Sequence, residues 1–520
     1  MKKYLGNKSK IANIIYEEVE NLIGKGERSI FDAFSGTTNV GRYFKKNGFN
    51  VISNDVNEVS YVLGKTYIET NNIPTFEGFV NSNSYSSNKF NEVRNSQEFK
   101  KNKEELIALN RKTNDQEYIQ NIIKTTLIDI IVYLNYYATE YDYKNNIDNS
   151  KIKIDYDNFI YSNYCKHGSN SEYINLVTNK SLKSSSQKLK KLKIFNQDIL
   201  DKIDRIDKVF NSFEMKPYNI NKFDSGLEII KDIVENYKEE LGENNLLKIT
   251  EIYKKLIKLR NRGTHIGHRI FFSEDHGRKI DLVLNTLVYW LRNKFISNEE
   301  YYILLSSLLE AVALFSNTSA TYQAFYKDYR DNTKQPFRLV FPEICVSTRE
   351  CKVFNDDTFA LINENRIDIN YNVLYLDPPY NWRIYDSNYH LLNLVAMYHT
   401  IDDLKIYEQG ILGASGEHRF IDKDYTNYNR RNTFETYLFD LILNSRCNYV
   451  VISYSNSRSN HNKDSVESLN KISNFLQNET LFEKDSYKLV EINSRNFESR
   501  KNETKDKIKE LLFIAKKLNY

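Results

Sequence analysis

Ser29-Ile30-Phe31-Asp32-Ala33-Phe34 runs directly into Ser35-Gly36-Thr37-Thr38-Asn39-Val40-Gly41 and then Arg42-Tyr43-Phe44-Lys45-Lys46. The first block reads as a strand, the second as a glycine turn, and the third has helical spacing. A strand, a tight turn and a helix open a nucleotide-binding α/β unit. Glycine in the turn lets a ligand approach the backbone, and the helix N-terminus favours negative charge. Downstream, Asn50-Val51-Ile52-Ser53 reads as a second short strand ending at Asn54-Asp55. An acid about 20 residues after the first glycine is placed to bind ribose hydroxyls. A glycine turn alone recurs by chance, and Asp55 alone also reads as a turn residue. The pattern gains weight from what lies far along the chain.

Leu374-Tyr375-Leu376 ends abruptly in Asp377-Pro378-Pro379-Tyr380. An apolar run that meets a carboxylate and two prolines reads as a buried strand stopping at a rigid loop. Each proline fixes its own φ and donates no hydrogen bond, and residues before proline are pushed out of the helical region. The Asp377 carboxylate and the Pro378 carbonyl are therefore expected side by side as two acceptors, with the Tyr380 ring next to them. Two acceptors and a stacking ring suit a flat, amine-bearing base whose amino group is to be methylated. The competing reading makes Tyr380 a plain core aromatic.

With both segments in view, the chain resembles the DPPY-type, Dam-like DNA adenine-N6 methyltransferases, whose catalytic domain is split. Tyr4-Leu5-Gly6-Asn7-Lys8-Ser9-Lys10 is similar to that family's N-terminal motif near the methionine end of the methyl donor. Phe34 to Gly41 resembles the donor-binding FxGxG turn, Asn54-Asp55 the ribose-binding acid, and Val353-Phe354-Asn355-Asp356-Asp357 the strand and acid beside the donor adenine. Asp377 to Tyr380, with Asn381, Arg383, Tyr385 and Asn388-Tyr389-His390, matches the catalytic motif and its extension, and Val450 to Asn456 resembles a later strand. The stretch from about Arg269 to Phe341, notably Asn317-Thr318, Tyr322, Ala324 and Lys327, is also family-like. The resemblance implies S-adenosyl-L-methionine as methyl donor, with Tyr4, Lys8, Phe34, Ser35, Gly36, Thr37, Asp55 and Asp357 as cofactor-binding residues. It implies Asp377, Pro378, Pro379 and Tyr380 as catalytic residues. Asp356 competes with Asp357, and Lys8 is equally well read as solvated. One departure is that Thr38 stands where the family has its second glycine, which suggests a milder turn or a donor held farther away.

The expected fold is α/β: a Rossmann-like methyltransferase sheet interrupted by a large, mainly helical insertion. Residues 1–75 and 346–520 are expected to form the split catalytic domain, and 76–345 the insertion with the DNA target-recognition region. A chain of 520 residues is long for one domain. Apolar residues make up 40%, which is globular rather than disordered. The formal net charge is only +4, so a DNA-binding surface must concentrate its charge locally. Two basic stretches in the insertion fit phosphate contact: Lys180 to Lys193, and Ile252 to Ser273, which holds Lys254, Lys255, Lys258, Arg260, Arg262 and Arg269 and no acid. A solvated helix face explains either stretch equally well. Apolar spacing predicts buried helices around Ile122 to Leu134 and over Asn298 to Phe315. The polar clusters Asn81 to Asn88 and Tyr141 to Asn146 read as loops.

Cys165, Cys345, Cys351 and Cys447 are scattered without CxxC spacing, so neither a zinc site nor a disulfide framework is indicated. His265 and His268 lack a third ligand nearby. No metal is expected. The basic start lacks an apolar core region and no run of 18 apolar residues exists, so no secretory signal or membrane span is expected and the location is cytoplasmic.

These features together lead to S-adenosylmethionine-dependent methylation of a flipped-out adenine N6 in double-stranded DNA, in a restriction-modification or phage-defence setting. No nuclease pattern is found, so any restriction activity is expected in a separate endonuclease. No Pro-Cys pair exists, which argues against cytosine-C5 chemistry. Cytosine N4 shares the required geometry. An RNA or protein amine methyltransferase and a catalytically silent DNA-binding subunit are the alternatives. The roles of Tyr385, Tyr389, His390 and Arg419 stay open, as lining or anchoring residues.

Overall fold

In a computed structural model, the chain is described over residues 8–110, 122–144, 158–174, 176–212, 220–261, 266–367, 370–378, 385–418, 434–455, 463–494 and 508–518. Its strands are β1 (Ser29–Asp32), β2 (Asn50–Asn54), β3 (Glu172–Ile174), β4 (Ile266–His268), β5 (Lys352–Phe354), β6 (Val373–Leu376), β7 (Ile411–Leu412), β8 (Glu417–His418), β9 (Tyr449–Ser455), β10 (Lys488–Ser494) and β11 (Ile508–Lys516). Seven of these form the main sheet in the order β10-β11-β9-β6-β1-β2-β5. β5, β2, β1, β6 and β9 run parallel, while β11 runs antiparallel to both β9 and β10. Counted within the parallel part, the order is 3-2-1-4-5, the doubly wound arrangement, with its switch point between β1 and β6. The two motifs read from sequence sit at that point, because Asp32 pairs with Tyr375 across the β1–β6 register.

Both faces of the sheet are covered, which explains why its strands read as continuous apolar runs rather than alternating ones. Ile30, Val51, Val373 and Val451 pack on one side with the helix Ala12–Ile23. Phe31, Ile52, Leu374 and Ile452 pack on the other with the helix Phe434–Asn444. Gly41 lies in the helix Asn39–Lys46 where a Cβ would come within 3.0 Å of Ile68 Cδ1 and 3.2 Å of Val51 Cγ1. That glycine lets its helix lie close on β2.

Two separate cores occupy the stretch between β2 and β5. One joins Val59 and Leu63 to the helices Thr126–Tyr136, Glu274–Arg292 and Asn298–Phe315, and to Leu391 and Val395 beyond β6. The other belongs to four helices alone, Leu176–Lys190, Gln197–Asn211, Ile220–Asn236 and Lys238–Asn261, closed by Ile199, Ile206, Phe223, Ile230, Ile249 and Leu256. The chain enters and leaves this bundle through β3 and β4, which pair antiparallel as a two-stranded ribbon.

The helix Asn298–Phe315 has the bounds its periodicity predicts, and a capping box between Ser297 and Glu300 sets its start. The polar cluster read as a loop is different. Ser84 accepts from Ser87 N and caps a helix over Tyr85–Val93, whose Ser86 and Ser87 are buried. Serines are N-cap residues as readily as loop residues, and the packing decided. Tyr141–Lys144 is likewise a short helical turn, and Asn145 and Asn146 lie outside the described residues. No helix of the described residues is long and apolar enough to cross a membrane.

Candidate active site

The strand ends around the switch point are laced together by side chains. At the end of β2, Asp55 Oδ2 accepts from the Gly36 N–H at 2.8 Å, and Oδ1 accepts from the Asn57 N–H and Nδ2 at 2.9 Å. Asp55 therefore fixes the glycine turn and retains lone pairs on a half-buried carboxylate. Burial lifts its pKa above the ordinary value, and the Asn57 and Gly36 N–H groups pull it back. Gly36 has φ 49° and Thr38 φ 61°. The turn is thus not milder for lacking its second glycine: Thr38 itself takes the left-handed conformation, buried, with its N–H on Ser35 O at 2.7 Å and its hydroxyl on Thr37 O at 2.7 Å. A β-branched residue there stores strain, of the order of 1–2 kcal/mol.

Asn54 Nδ2 donates to Asp356 O and Thr358 Oγ1, and Asn54 Oδ1 accepts from Asp356 N. Thr358 Oγ1 donates on to Ala33 O. The ends of β1, β2 and β5 so form one rim. Asp357 Oδ1 caps the helix Thr358–Asn363 by accepting from Ala360 N at 2.9 Å. Asp356 pairs with Arg366 and accepts from Asp357 N. The neighbouring acids have different tasks, and Asp357 carries a helix cap.

On the other side of the switch point, Asp377 is the first residue after β6. Lys8 Nζ lies 3.2 Å from Asp377 Oδ1 and 2.7 Å from Glu510 Oε1, with Lys8 and Glu510 both buried. Lys8 is therefore no solvated lysine. Ser453 Oγ donates to the same Glu510 oxygen at 2.6 Å. Burial pushes the Asp377 pKa up to about 7; Lys8 opposes that rise and Glu510 adds to it. Asp32, at the end of β1, is 1% exposed, and its Oδ1 meets no hydrogen-bond partner among the described residues. Burial, then the negative charges of Asp377 and Asp55, push its pKa up to about 8. Carboxyl groups held neutral or near neutrality at a strand-end cleft mark a functional site.

The model of the D12 class N6 adenine-specific DNA methyltransferases matches residues 4–213 and 209–405, more than half of the chain. The chain belongs to this family. Curated relatives are consistent with it. The type II methyltransferase M.NlaIII of Neisseria lactamica is 32% identical over 186 residues, 33% of this chain and 54% of that protein. The modification methylase StsI of Streptococcus sanguinis is 31% identical over 193 residues, 36% of this chain and 27% of its own length. The type II methyltransferase M.FokI of Planomicrobium okeanokoites is 28% identical over 268 residues, 51% of this chain and 38% of its own. The chain thus spans about half or less of the length of these relatives. No solved structure matches the chain significantly.

Within this D12 class chain, Phe34, Ser35, Gly36, Thr37, Asp55 and Asp357 gather near the ends of β1, β2 and β5, while Asp377 and Pro378 lie beyond β6 with Lys8 beside Asp377. Tyr4, Pro379 and Tyr380 lie outside the described residues, as do Asn381, Arg383, Arg419, His265 and Asn456. Tyr389 is buried at a kink of the helix Tyr385–Met397 and anchors that helix in the core. Both ring nitrogens of His390 face backbone carbonyls, Ser387 O at 3.1 Å and Ser415 O at 3.0 Å, so His390 ties this helix to the β7–β8 hairpin. Arg269 is not a phosphate-binding side chain. It is fully buried and donates to Asn163 O, Asn170 O and Gly413 O at 3.0–3.2 Å. Arg260 is occupied by Asp224.

Asp32, Ser453 and Glu510 were not singled out from sequence. Asp32 had a usable signal, since a carboxylate closing the first strand of a doubly wound sheet stands at the ligand crevice. Glu510 had none, because only the antiparallel register of β11 carries it to the site.

Proposed function

We propose that the protein methylates adenine N6 at specific sites in double-stranded DNA, with S-adenosyl-L-methionine as the methyl donor. The observation that carries the reading is the placement of Asp377 at the end of β6, directly across the switch point from the Asp55-braced turn of Gly36. The residues fit the donor. The orphaned buried Oδ1 of Asp32 suits an ammonium group, and the spare lone pairs of Asp55 suit ribose hydroxyls. Lys8, Phe34, Ser35, Gly36, Thr37, Asp55 and Asp357 would hold it, with Tyr4 from the N-terminal motif. When bound, it supplies a methyl group already activated by a sulfonium.

Asp377 and the Pro378 carbonyl accept hydrogen bonds from the amino group of an extruded adenine, which leaves its nitrogen lone pair less conjugated and aimed. Tyr380 stacks on the ring. The residues contribute mainly alignment, a positional effect. The reacted nitrogen loses one proton, and Asp377 is the base at hand. Residues 1–75 and 346–520 carry this chemistry, while 76–345 read the DNA. The helical bundle on its ribbon supports that division, because it closes its own core and exposes Lys254, Lys255 and Lys258 on one helix. A restriction-modification setting with a separate endonuclease is part of this reading, and the naming of relatives as type II methyltransferases supports it. Digestion of treated duplex DNA to nucleosides, followed by mass spectrometry, tests the reading.

A further inference from the structure

We propose that Glu510 is a positioning residue for methyl transfer: it holds the Lys8 ammonium beside the Asp377 carboxylate and, with Ser453, limits how much of that charge Asp377 receives. The inference rests on the reading of Asp377 as the acceptor of the adenine amino group.

The topology brings Glu510 there. β11 is antiparallel to β9, so its first residues lie where the parallel strands end. Glu510 is opposite Ser455, and Ser453 is its diagonal neighbour on the same face. Leu376 pairs with Ile452, which puts Asp377 level with Ser453. Farther along β11 the same face carries Leu512 and Ile514, both buried in apolar packing. A carboxylate in that row is costly to bury.

The distances show what it does. Lys8 Nζ is 2.7 Å from Glu510 Oε1 but 3.2 Å from Asp377 Oδ1. The stronger contact is with Glu510, which also accepts from Ser453 at 2.6 Å. Lys8 thus stays near enough to favour an ionised Asp377, yet is drawn away from closing on it. An Asp377 fully engaged by Lys8 competes poorly for the two hydrogens of an adenine amine. Among the described residues, the titratable and charged groups facing Asp377 are Lys8 on the segment before the first helix, Asp32 on β1, Tyr375 on β6 and Glu510 on β11. Glu510 raises the pH at which Asp377 ionises and Lys8 lowers it, while the charge of Asp377 raises that of Asp32.

The test is the pH profile of kcat on duplex DNA for the wild type, Glu510→Gln and Glu510→Asp, each first checked for cooperative thermal unfolding. Glu510→Gln removes the competing charge. Its acid limb is expected to move to lower pH by about 1, and its plateau to fall about tenfold or more as Lys8 closes on Asp377. Glu510→Asp keeps the charge but withdraws it by one methylene, so the limb stays in place while the plateau falls. A Glu510→Gln profile identical to wild type, or lowered evenly with no shift of the limb, overturns the proposal. If Glu510→Gln does not fold, Glu510→Asp decides: a wild-type plateau overturns it. No methyl transfer to adenine by the wild type overturns the functional reading itself, and the proposed role with it.

Discussion

Asp377 has the clearest consequence of any single residue. Asp377→Ala removes the acceptor proposed for the base amine and leaves the rim of β1, β2 and β5 intact. Methyl transfer is expected to fall by about a hundredfold or more, with donor affinity retained in calorimetry. Asp55→Ala acts in the opposite sense. It deletes the carboxylate that holds the Gly36 N–H, and loss of a charged hydrogen bond of about 1.5–3 kcal/mol weakens donor binding roughly tenfold or more. Unchanged donor affinity removes Asp55 from the site.

Asp32 carries a stability prediction. Its folded pKa is raised from 3.8 to about 8, so between those values the native state binds the extra proton. Stability from this group therefore falls as pH rises from about 4 towards about 8. Asp32→Asn removes that fall, and urea unfolding at pH 5 and pH 8 shows whether it does. At this scale the end of the strand β6 at Asp377 was legible, because the signal is local. Thr38 was misjudged, since a β-branched residue at positive φ contradicts the local rule and is held there by burial. Glu510 was invisible, since its partners are Lys8, Ser453 and Asp377, brought together only by the fold.

Among elements, the helix Lys238–Asn261 is the most informative. Its buried face, Ile249, Ile252, Leu256 and Leu259, closes the bundle core, while Lys254, Lys255 and Lys258 are exposed. Tyr253, Lys254, Ile257, Lys258 and Asn261 line a shallow groove along it. Reversing the charge of Lys254, Lys255 and Lys258 is expected to weaken binding to all duplexes alike and flatten its salt dependence, as for phosphate contacts. Donor binding should persist. Titrations of two unrelated duplexes at several salt concentrations check this; lost donor binding with intact DNA affinity contradicts it. Basic composition alone did not separate these lysines from Arg260 and Arg269, which follow closely in sequence. The first pairs with Asp224 and the second is buried under three carbonyls, and charge runs say nothing about which members a fold consumes internally. The Lys180 to Lys193 stretch shows the same, with Lys190 on Asp207.

For the whole molecule, the order β5-β2-β1-β6-β9 explains why motifs more than three hundred residues apart lie together. A doubly wound sheet brings the ends of its first and fourth parallel strands to one crevice, so a long insertion is tolerated between them. The sheet was legible because β1, β6 and most of β2 are buried on both faces and read as apolar runs. The division of the insertion into a shared core and a bundle on a two-stranded ribbon was not, since amphipathic helices do not declare which neighbours they pack against. Nucleoside mass spectrometry is the most direct test of adenine N6 methylation of duplex DNA. Duplex DNA incubated with the protein and S-adenosylmethionine should yield N6-methyladenine, and Asp377→Ala should yield little or none. Finding only N4-methylcytosine, or methylation of RNA and not of DNA, contradicts it.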